Sequence, residues 1–498
     1  MCYKNTTSVT SLLLLLLLTG FTHFPHKAVS KNLNAYYSYT VFYSPDNGPY
    51  IETYLSVAGN SVNFVANETG DFKAAVEVLV LFIQGKEVIS YDKYQLSSPE
   101  LKDTANINFS FLDQQRYSLP SGLYDFEIQI KDMYSDNPPF ISLQPLEIDF
   151  PDDAVHVSGI QLIESYKPSG EENILTKHGY DLVPYISDFY PESVQKIIFY
   201  GEIYNTAKIL GQEKQFLLTT YISPAEKNEP VTGFISRKRE VTAPVSVVFN
   251  EFNISNLKSG NYFLVIEVRD QENTLRGKNR FFFQRSNPKL QLRIEDLATV
   301  NSNNTFVSKI QNADTLREYI RSLSPISDEQ EKIFSAVHVK TADLETLQKY
   351  FYRFWDERNP LDPESAWTAY RNEVVKVNMA YSTKIQKGYE TDRGRVYLQY
   401  GPPNAISESY NEPATYPYEI WHYYALQNGQ RNRRFVFYTR DMVTNDFVML
   451  HSDVSGELAN YRWQYVLYQR VDPGFDLDSR SVPDSWGGQS RNYFDLPR

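Results

Sequence analysis

The chain is 498 residues long, with 42% hydrophobic, 22% charged and 15% aromatic residues and a formal net charge of -12. That length exceeds one ordinary core and predicts about three domains. The acidic balance excludes a nucleic-acid backbone as partner and argues against an anionic membrane surface, because both need a basic footprint.

Met1–Ser30 reads as a secretory leader. Lys4 gives a basic start, Leu12–Leu18 is an unbroken apolar block, and Ala28-Val29-Ser30 is a small-x-small cleavage site. The block is too short to span a bilayer, and no later segment reaches that length. Removing a leader that carries Lys4, Lys27 and no acid makes the mature chain two charges more acidic. It also removes Cys2, the one cysteine, and with it disulfides, a thiol nucleophile and thiolate metal ligands. Cys2 precedes the apolar block, whereas a lipidated cysteine would follow it.

Residues 31–152 read as an all-β domain. Tyr36–Tyr43 is β-prone and ends at the turn cluster Pro45-Asp46-Asn47-Gly48. Ala74–Ile83, Asn106–Leu112, Tyr124–Lys131 and Leu143–Phe150 follow at short spacing, which suggests a sandwich. Residues 153–287 repeat the pattern. Leu119-Pro120-Ser121-Gly122-Leu123-Tyr124 with Ile128, Ile130 and Asp132 matches Leu257-Lys258-Ser259-Gly260-Asn261-Tyr262 with Ile266, Val268 and Asp270 at one offset. Glu52-Thr53-Tyr54 and Glu202-Ile203-Tyr204 correspond at a larger offset. In each unit the Tyr after Ser-Gly is placed to hydrogen-bond a corner of an immunoglobulin-like fold.

Residues 288–326 are polar and weakly patterned, as in a strand plus linker. Ser327-Asp328-Glu329-Gln330 then resembles a capping box with Ser327 as N-cap, opening a helix through Glu331–Val339. Thr341 or Asp343 starts a second helix with apolar positions Leu344, Leu347, Phe351 and Phe354, ended by Asn359-Pro360. Asp362 and Pro363 start a third. Its stripe is Tyr370, Val374, Val377, Tyr381 and Ile385, and Gly388 closes it. Thr391-Asp392-Arg393-Gly394 has the composition of a tight turn with a local ion pair. Four β-runs follow: Arg395–Tyr400, Tyr418–Tyr424, Arg434–Arg440 and Phe447–Leu450, with a hairpin at Asn428-Gly429. Leu458–Tyr468 is a final helix, and residues 471–498 form a loosely held tail.

The segment Gly388-Tyr389-Glu390-Thr391-Asp392 resembles the signature of the GWxTD-domain family of exported proteins, known mainly from Bacteroidota and related bacteria, with Tyr389 in place of the usual Trp. Phe354-Trp355-x-x-Arg358-x-Pro360 ahead of it, Arg393-Gly394-Arg395-Val396-Tyr397-Leu398-x-Tyr400-Gly401-x-Pro403 behind it, and Tyr418-Glu419-Ile420-Trp421 extend the resemblance over residues 327–470. It implies an exported protein with β-domains ahead of a C-terminal α+β domain. It implies no established activity.

The residues admit few chemistries. Asp392 and Glu419, with Glu390 nearby, are the acids available for glycoside hydrolysis, which needs two carboxylates at a set separation across a sugar cleft. The structural alternative has Asp392 bonding local amides while Arg393 or Arg395 pairs with it or with Glu419. His156, His178, His338, His422 and His451 show no metal-ligand spacing, and His422 is expected to point outward from its strand. No G-x-S-x-G, H-E-x-x-H, G-x-G-x-x-G or Walker pattern occurs. No metal or cofactor is expected. Tyr389, Tyr416, Tyr418, Trp421 and Tyr423 are candidate contact rings for a protein segment or a glycan. Gly388, Thr391, Asp392, Arg393 and Gly394 are candidate turn residues.

These readings combine into an expected architecture of two tandem immunoglobulin-like all-β sandwiches followed by an α+β domain over 327–470. The expected function is a non-enzymatic binding or assembly component of the bacterial cell envelope, in the periplasm or at the outer membrane, that contacts a protein partner. A hydrolase using Asp392 and Glu419 on an envelope glycan or polymer is the alternative.

Overall fold

The computed structural model describes residues 31–226, 229–470 and 488–495. The expected leader at 1–30 and most of the expected tail lie outside the described residues. Among them, no helix is long and apolar enough to cross a membrane.

The first unit holds β1 (Ala35–Ser44), β2 (Gly48–Ala58), β3 (Ala75–Gln84), β4 (Glu87–Ser97), β5 (Ser110–Ser118), β6 (Gly122–Asp132) and β7 (Phe140–Ile148). Its sheets run β1-β2-β5 and β4-β3-β6-β7. Strand alternation sends Ile51, Val57, Val78, Val80, Phe82, Phe126 and Ile128 into one core between them. The second unit holds β8 (Gln161–Pro168), β9 (Tyr180–Pro184), β10 (Lys196–Tyr204), β11 (Gln215–Pro224), β12 (Ile235–Val241), β13 (Val245–Asn253), β14 (Gly260–Arg269) and β15 (Leu275–Arg285). Apart from two-residue strands at their margins, its sheets run β13-β10-β8-β9 and β15-β14-β11-β12. Both units are therefore sandwich-like.

The repeat seen in the sequence is a repeat of bonds. Tyr124 donates from its hydroxyl to the Pro120 carbonyl at 2.9 Å, and Tyr262 donates to the Lys258 carbonyl at 3.0 Å. Each ring thereby ties the start of its strand to the turn four residues upstream. The two Glu-x-Tyr segments also act alike, since Tyr54 donates to Glu52 and Tyr204 to Glu202. These acids lie where the sandwiches meet. Glu52 is fully buried and is held by Lys177 of the second unit at 2.8 Å and by Arg116 at 2.6 Å. Burial alone would raise its carboxyl; Lys177 and then Arg116 outweigh that and hold it below the usual carboxylate range. The Lys177 ammonium also sits 3.4 Å from the centre of the Phe42 ring.

The remainder packs helices on one small sheet. The helices are α1 (Ala313–Ser322), α2 (Glu329–His338), α3 (Leu344–Arg358), α4 (Pro363–Tyr381), α5 (Asp392–Tyr400), α6 (Trp463–Tyr468) and α7 (Ser490–Asp495). The sheet, in spatial order, is β16 (Ala405–Ser409), β17 (Tyr418–Ala425), β18 (Arg431–Tyr438) and β19 (Val448–Ser452). Asp343 caps α3 through the Thr346 amide, and Asp362 caps α4 through the Ser365 amide ahead of Pro363. Such caps stabilise a helix by about 1 kcal/mol.

Five local expectations are corrected. The N-cap of α2 is Asp328, one residue after Ser327, because Asp328 and Glu331 exchange both capping bonds. Residues 288–326 contain α1 and several single turns where a strand and linker were expected; Leu316 and Ile320 of α1 join Phe351 and Trp367 in a helical core. Helix α4 ends at Tyr381, and Ile385 lies beyond it at 92% exposure. The chain must turn back there to bring Gly388 against Val377. Arg395–Tyr400 is helical because α5 lies between α4 and the sheet. Val396 packs on the sheet cluster and Leu398 on the α4 cluster, so two faces are apolar and the pattern imitates a strand. His422 is buried, with Nε2 2.7 Å from Asn432 Oδ1, where an outward ring was expected.

Tyr418, Ile420, Val436 and Leu450 project from the other face of the sheet onto Trp463 and Leu467 of α6. His451 is sealed there at 1% exposure, its Nδ1 accepting from the Asn460 amide at 3.0 Å and its ring parallel to Trp463. Burial pushes its imidazole down to about 4. The folded state thus favours neutral His451. The unfolded chain takes up the proton first as pH falls below about 6.5, so stability present at neutral pH drains away between about 6.5 and 4, by roughly 3 kcal/mol. In urea titrations from pH 7 to pH 4, His451→Gln is expected to remove that part of the pH dependence. An unchanged slope would refute the assignment.

Candidate functional site

The signature segment enters from the end of α4 and runs into α5. A Cβ on Gly388 would stand 2.1 Å from the Val377 carbonyl oxygen, and one on Gly394 would stand 1.8 Å from the Gly388 carbonyl oxygen. Backbone therefore touches backbone twice, from α4 to the turn Gly388–Glu390 and from that turn to α5. Glycine is required at both places by contact; neither has a positive φ. The expected tight turn over Thr391–Gly394 is instead the first turn of α5. Thr391 is its N-cap, with Oγ1 accepting from the Gly394 amide at 3.2 Å and donating to the Gly388 carbonyl at 2.8 Å.

Each following side chain reaches a different element. Tyr389 is buried with Val374, Val377 and Leu398, and its hydroxyl donates to Glu318 of α1 at 3.0 Å. Burial, then Glu318, pushes its phenol well up. Asp392 accepts from the Met449 amide of β19 at 2.7 Å. Arg393 donates to Glu419 Oε1 at 2.6 Å and to the Asn445 carbonyl and side chain at 3.1 and 2.6 Å. Its guanidinium lies 4.0 Å from the Phe447 ring centre and 5.1 Å from that of Tyr381. Arg395 forms a fork with Glu457, both bonds at 2.8 Å.

Glu419 is the centre of this arrangement. Oε1 accepts from Arg393 and from the Tyr410 hydroxyl at 2.8 Å, while Oε2 accepts from the Trp421 indole at 2.9 Å. The side chains of Arg393 and Glu419 are 6% and 5% exposed. Burial, then the Glu419 charge, pushes the Tyr381 phenol up to about 12. The geometry is that of a charged pair closed over by rings, with α5 clasped to the sheet.

The sequence-derived site residues divide accordingly. Gly388, Thr391, Asp392, Arg393 and Gly394 come together as the clasp. Asp392 and Glu419 do not form a free carboxylate pair, because backbone and side-chain donors occupy them. Glu390 accepts from the Lys387 amide at 2.9 Å within its own turn. The contact-ring assignment is corrected. Tyr389, Tyr418, Trp421 and Tyr423 are buried, and half-buried Tyr416 packs against Tyr438. Tyr418, Trp421 and Tyr423 fill the two faces of a sheet covered by α5 and α6, and Tyr389 packs between α4 and α5, so these four present no surface. Asn445, Tyr410, Phe447, Glu457 and Glu318 complete the site and escaped the sequence reading; they come from four separate segments, with no spacing to link them to Arg393 or Tyr389. Among the described residues, no group of three His, Cys, Asp or Glu side chains could hold a metal.

Comparison with known proteins places this geometry in context. No curated protein matches the chain. Among solved structures it is similar to the fibronectin(III)-like modules of Clostridium thermocellum CbhA, at 12% identity over 49% of this chain and 89% of that chain, with a TM-score of 0.15. It is also similar to a calcium-binding mutant of Bacteroides uniformis beta-glucuronidase 2, at 8% identity over 46% of this chain and 26% of that chain, with a TM-score of 0.17. A Salmonella alpha-2-macroglobulin mutant is matched at 12% identity over 51% of this chain and 16% of that chain, with a TM-score of 0.15. Scores of this size carry no inference about activity. Residues 293–461 match the GWxTD domain.

Proposed function

We propose, from the premise that residues 293–461 are a GWxTD domain, that this chain is a non-enzymatic binding or assembly component of a bacterial cell envelope. It is exported by its leader to the periplasm or the outer membrane and contacts an envelope protein there. The observation that carries this reading is the burial of the Arg393–Glu419 pair. The polar groups of the most diagnostic segment are spent on holding α4, α5 and the sheet together, which suits a rigid adaptor. The two N-terminal units are sandwiches of immunoglobulin-like type, as their tyrosine corners suggest. They serve as a spacer stiffened by the Glu52–Lys177 contact.

With Tyr418, Trp421 and Tyr423 inside, the contact surface moves to the end of α4. Met379, Ile385, Met442 and Val443 are exposed there, at 83, 92, 45 and 78%. Asn445 holds their segments together by donating to the Ala380 and Ser382 carbonyls. Exposed apolar side chains in such a group mark protein contact sites, and Met suits an adaptable one. The test is affinity capture from native envelope with mass spectrometry, run with the wild-type chain and with the double variant Met379→Asp/Val443→Asp. One envelope protein retained by the wild type and lost by the variant supports the reading. A chain that returns alone and turns over an envelope polysaccharide overturns it.

A further inference from the structure

We infer that the outer face of the β15-β14-β11-β12 sheet is a binding cleft for an acidic saccharide. This goes beyond the adaptor reading, since it concerns the second sandwich and a different ligand class. The cleft has a volume of about 490 Å³, within the range of small-ligand sites.

Register builds it. Arg237, Thr219, Glu267 and Lys278 are successive cross-strand partners on β12, β11, β14 and β15, so they form one row on one face. At the strand spacing that row is about 14 Å across. Arg269 lies two residues along β14 from Glu267, and Tyr221 two along β11 from Thr219. Thr219 and Tyr221 are buried as the floor. Glu267 accepts from Arg269 Nε at 2.6 Å and from the Tyr221 hydroxyl at 3.4 Å. Lys278 donates to that hydroxyl at 3.1 Å and approaches Glu267 to 3.7 Å. The Arg237 side chain is exposed and makes no ion pair or hydrogen bond among the described residues. The row and its neighbours thus set three cations against one carboxylate, in a chain whose net charge is -12.

The ligand class follows from these groups. A free guanidinium fork at one wall takes a carboxylate. Glu267 and the Thr219 and Tyr221 hydroxyls in the floor exchange bonds with ring hydroxyls, which a simple inorganic anion lacks. An extended peptide lying over the floor is disfavoured, because β11 and β14 are paired on both sides and their backbone offers nothing to a new strand. Leu217 and Ile235 supply apolar contact for a sugar ring at the two ends.

The test is calorimetric titration of the full chain with digalacturonate, alongside neutral lactose, inorganic phosphate and hexaglutamate. Saturable digalacturonate binding is expected, weakened about tenfold or more by Arg237→Glu and by 0.5 M salt, with the other three probes at least about tenfold weaker. Arg237 is exposed and unpaired, so the variant keeps its fold; coincident thermal melts confirm this. Absent binding, or equal binding by Arg237→Glu, overturns the site. Lactose or phosphate binding as tightly as digalacturonate overturns the ligand class, and tighter hexaglutamate binding assigns the cleft to acidic peptide instead.

Discussion

Gly394→Ala is expected to unfold the C-terminal domain and leave the two sandwiches standing. Helix propensity alone predicts the reverse, since alanine inside a helix is about 1 kcal/mol better than glycine. The contact decides the sign. The new methyl would lie 1.8 Å from the Gly388 carbonyl oxygen, 2.7 Å from the carbonyl carbon and 2.8 Å from a Val377 methyl. Two of these are backbone atoms of a turn that is itself pressed against α4, so nothing flexible can give way. Helix α5 must lift, and Asp392, Arg393 and Arg395 leave the sheet with it. A loss of about 4 kcal/mol or more is expected. All five Trp lie beyond residue 350, so urea-induced changes in Trp fluorescence report this domain and circular dichroism reports the sandwiches as well. Gly401→Ala is the control: its φ is +84° but its Cβ would meet open space, which predicts a strain cost of only about 1 kcal/mol. A Gly394→Ala chain within about 1 kcal/mol of the wild type would mean the three segments are not in backbone contact.

The same glycines show where sequence reading succeeds and where it stops. Local rules were visible. Asp343, and Asp362 with Pro363, start their helices as their types require, and Ser-Gly-x-Tyr marks each sandwich corner. Gly388 was visible as punctuation, but the reason for it is a carbonyl eleven residues upstream, which no local rule contains. Helix α5 was misread because it is apolar on two sides. The rings of β17 were read as a surface because strand alternation places Tyr418 and Ile420 on one face and Trp421 and Tyr423 on the other. It cannot say that helices cover both. Arg393 and Glu419 were named as possible partners, yet the burial that gives the pair its meaning depends on Tyr410 from one distant segment and on Asn445 and Phe447 from another.

Glu419→Ala is expected to cost about 3–5 kcal/mol, because it leaves the Arg393 guanidinium buried without its counter-charge. It also strips the Tyr410 hydroxyl and the Trp421 indole of their acceptor. Glu419→Gln keeps the shape but not the charge and should fall between the two. The loss belongs to the pair. Replacing both partners, Arg393→Met with Glu419→Leu, removes the stranded charge and should recover much of the stability, giving a coupling of roughly 2 kcal/mol or more in a double-mutant cycle. Urea titration followed by Trp fluorescence measures every corner of that cycle. The result also separates the two functional readings. A catalytic carboxylate is held in place at some cost to the fold, so its removal spares or improves stability while abolishing turnover. A clasp carboxylate does the opposite. If Glu419→Ala melted with the wild type, the clasp reading would fail, and the acid at this corner would again be free to act on a substrate.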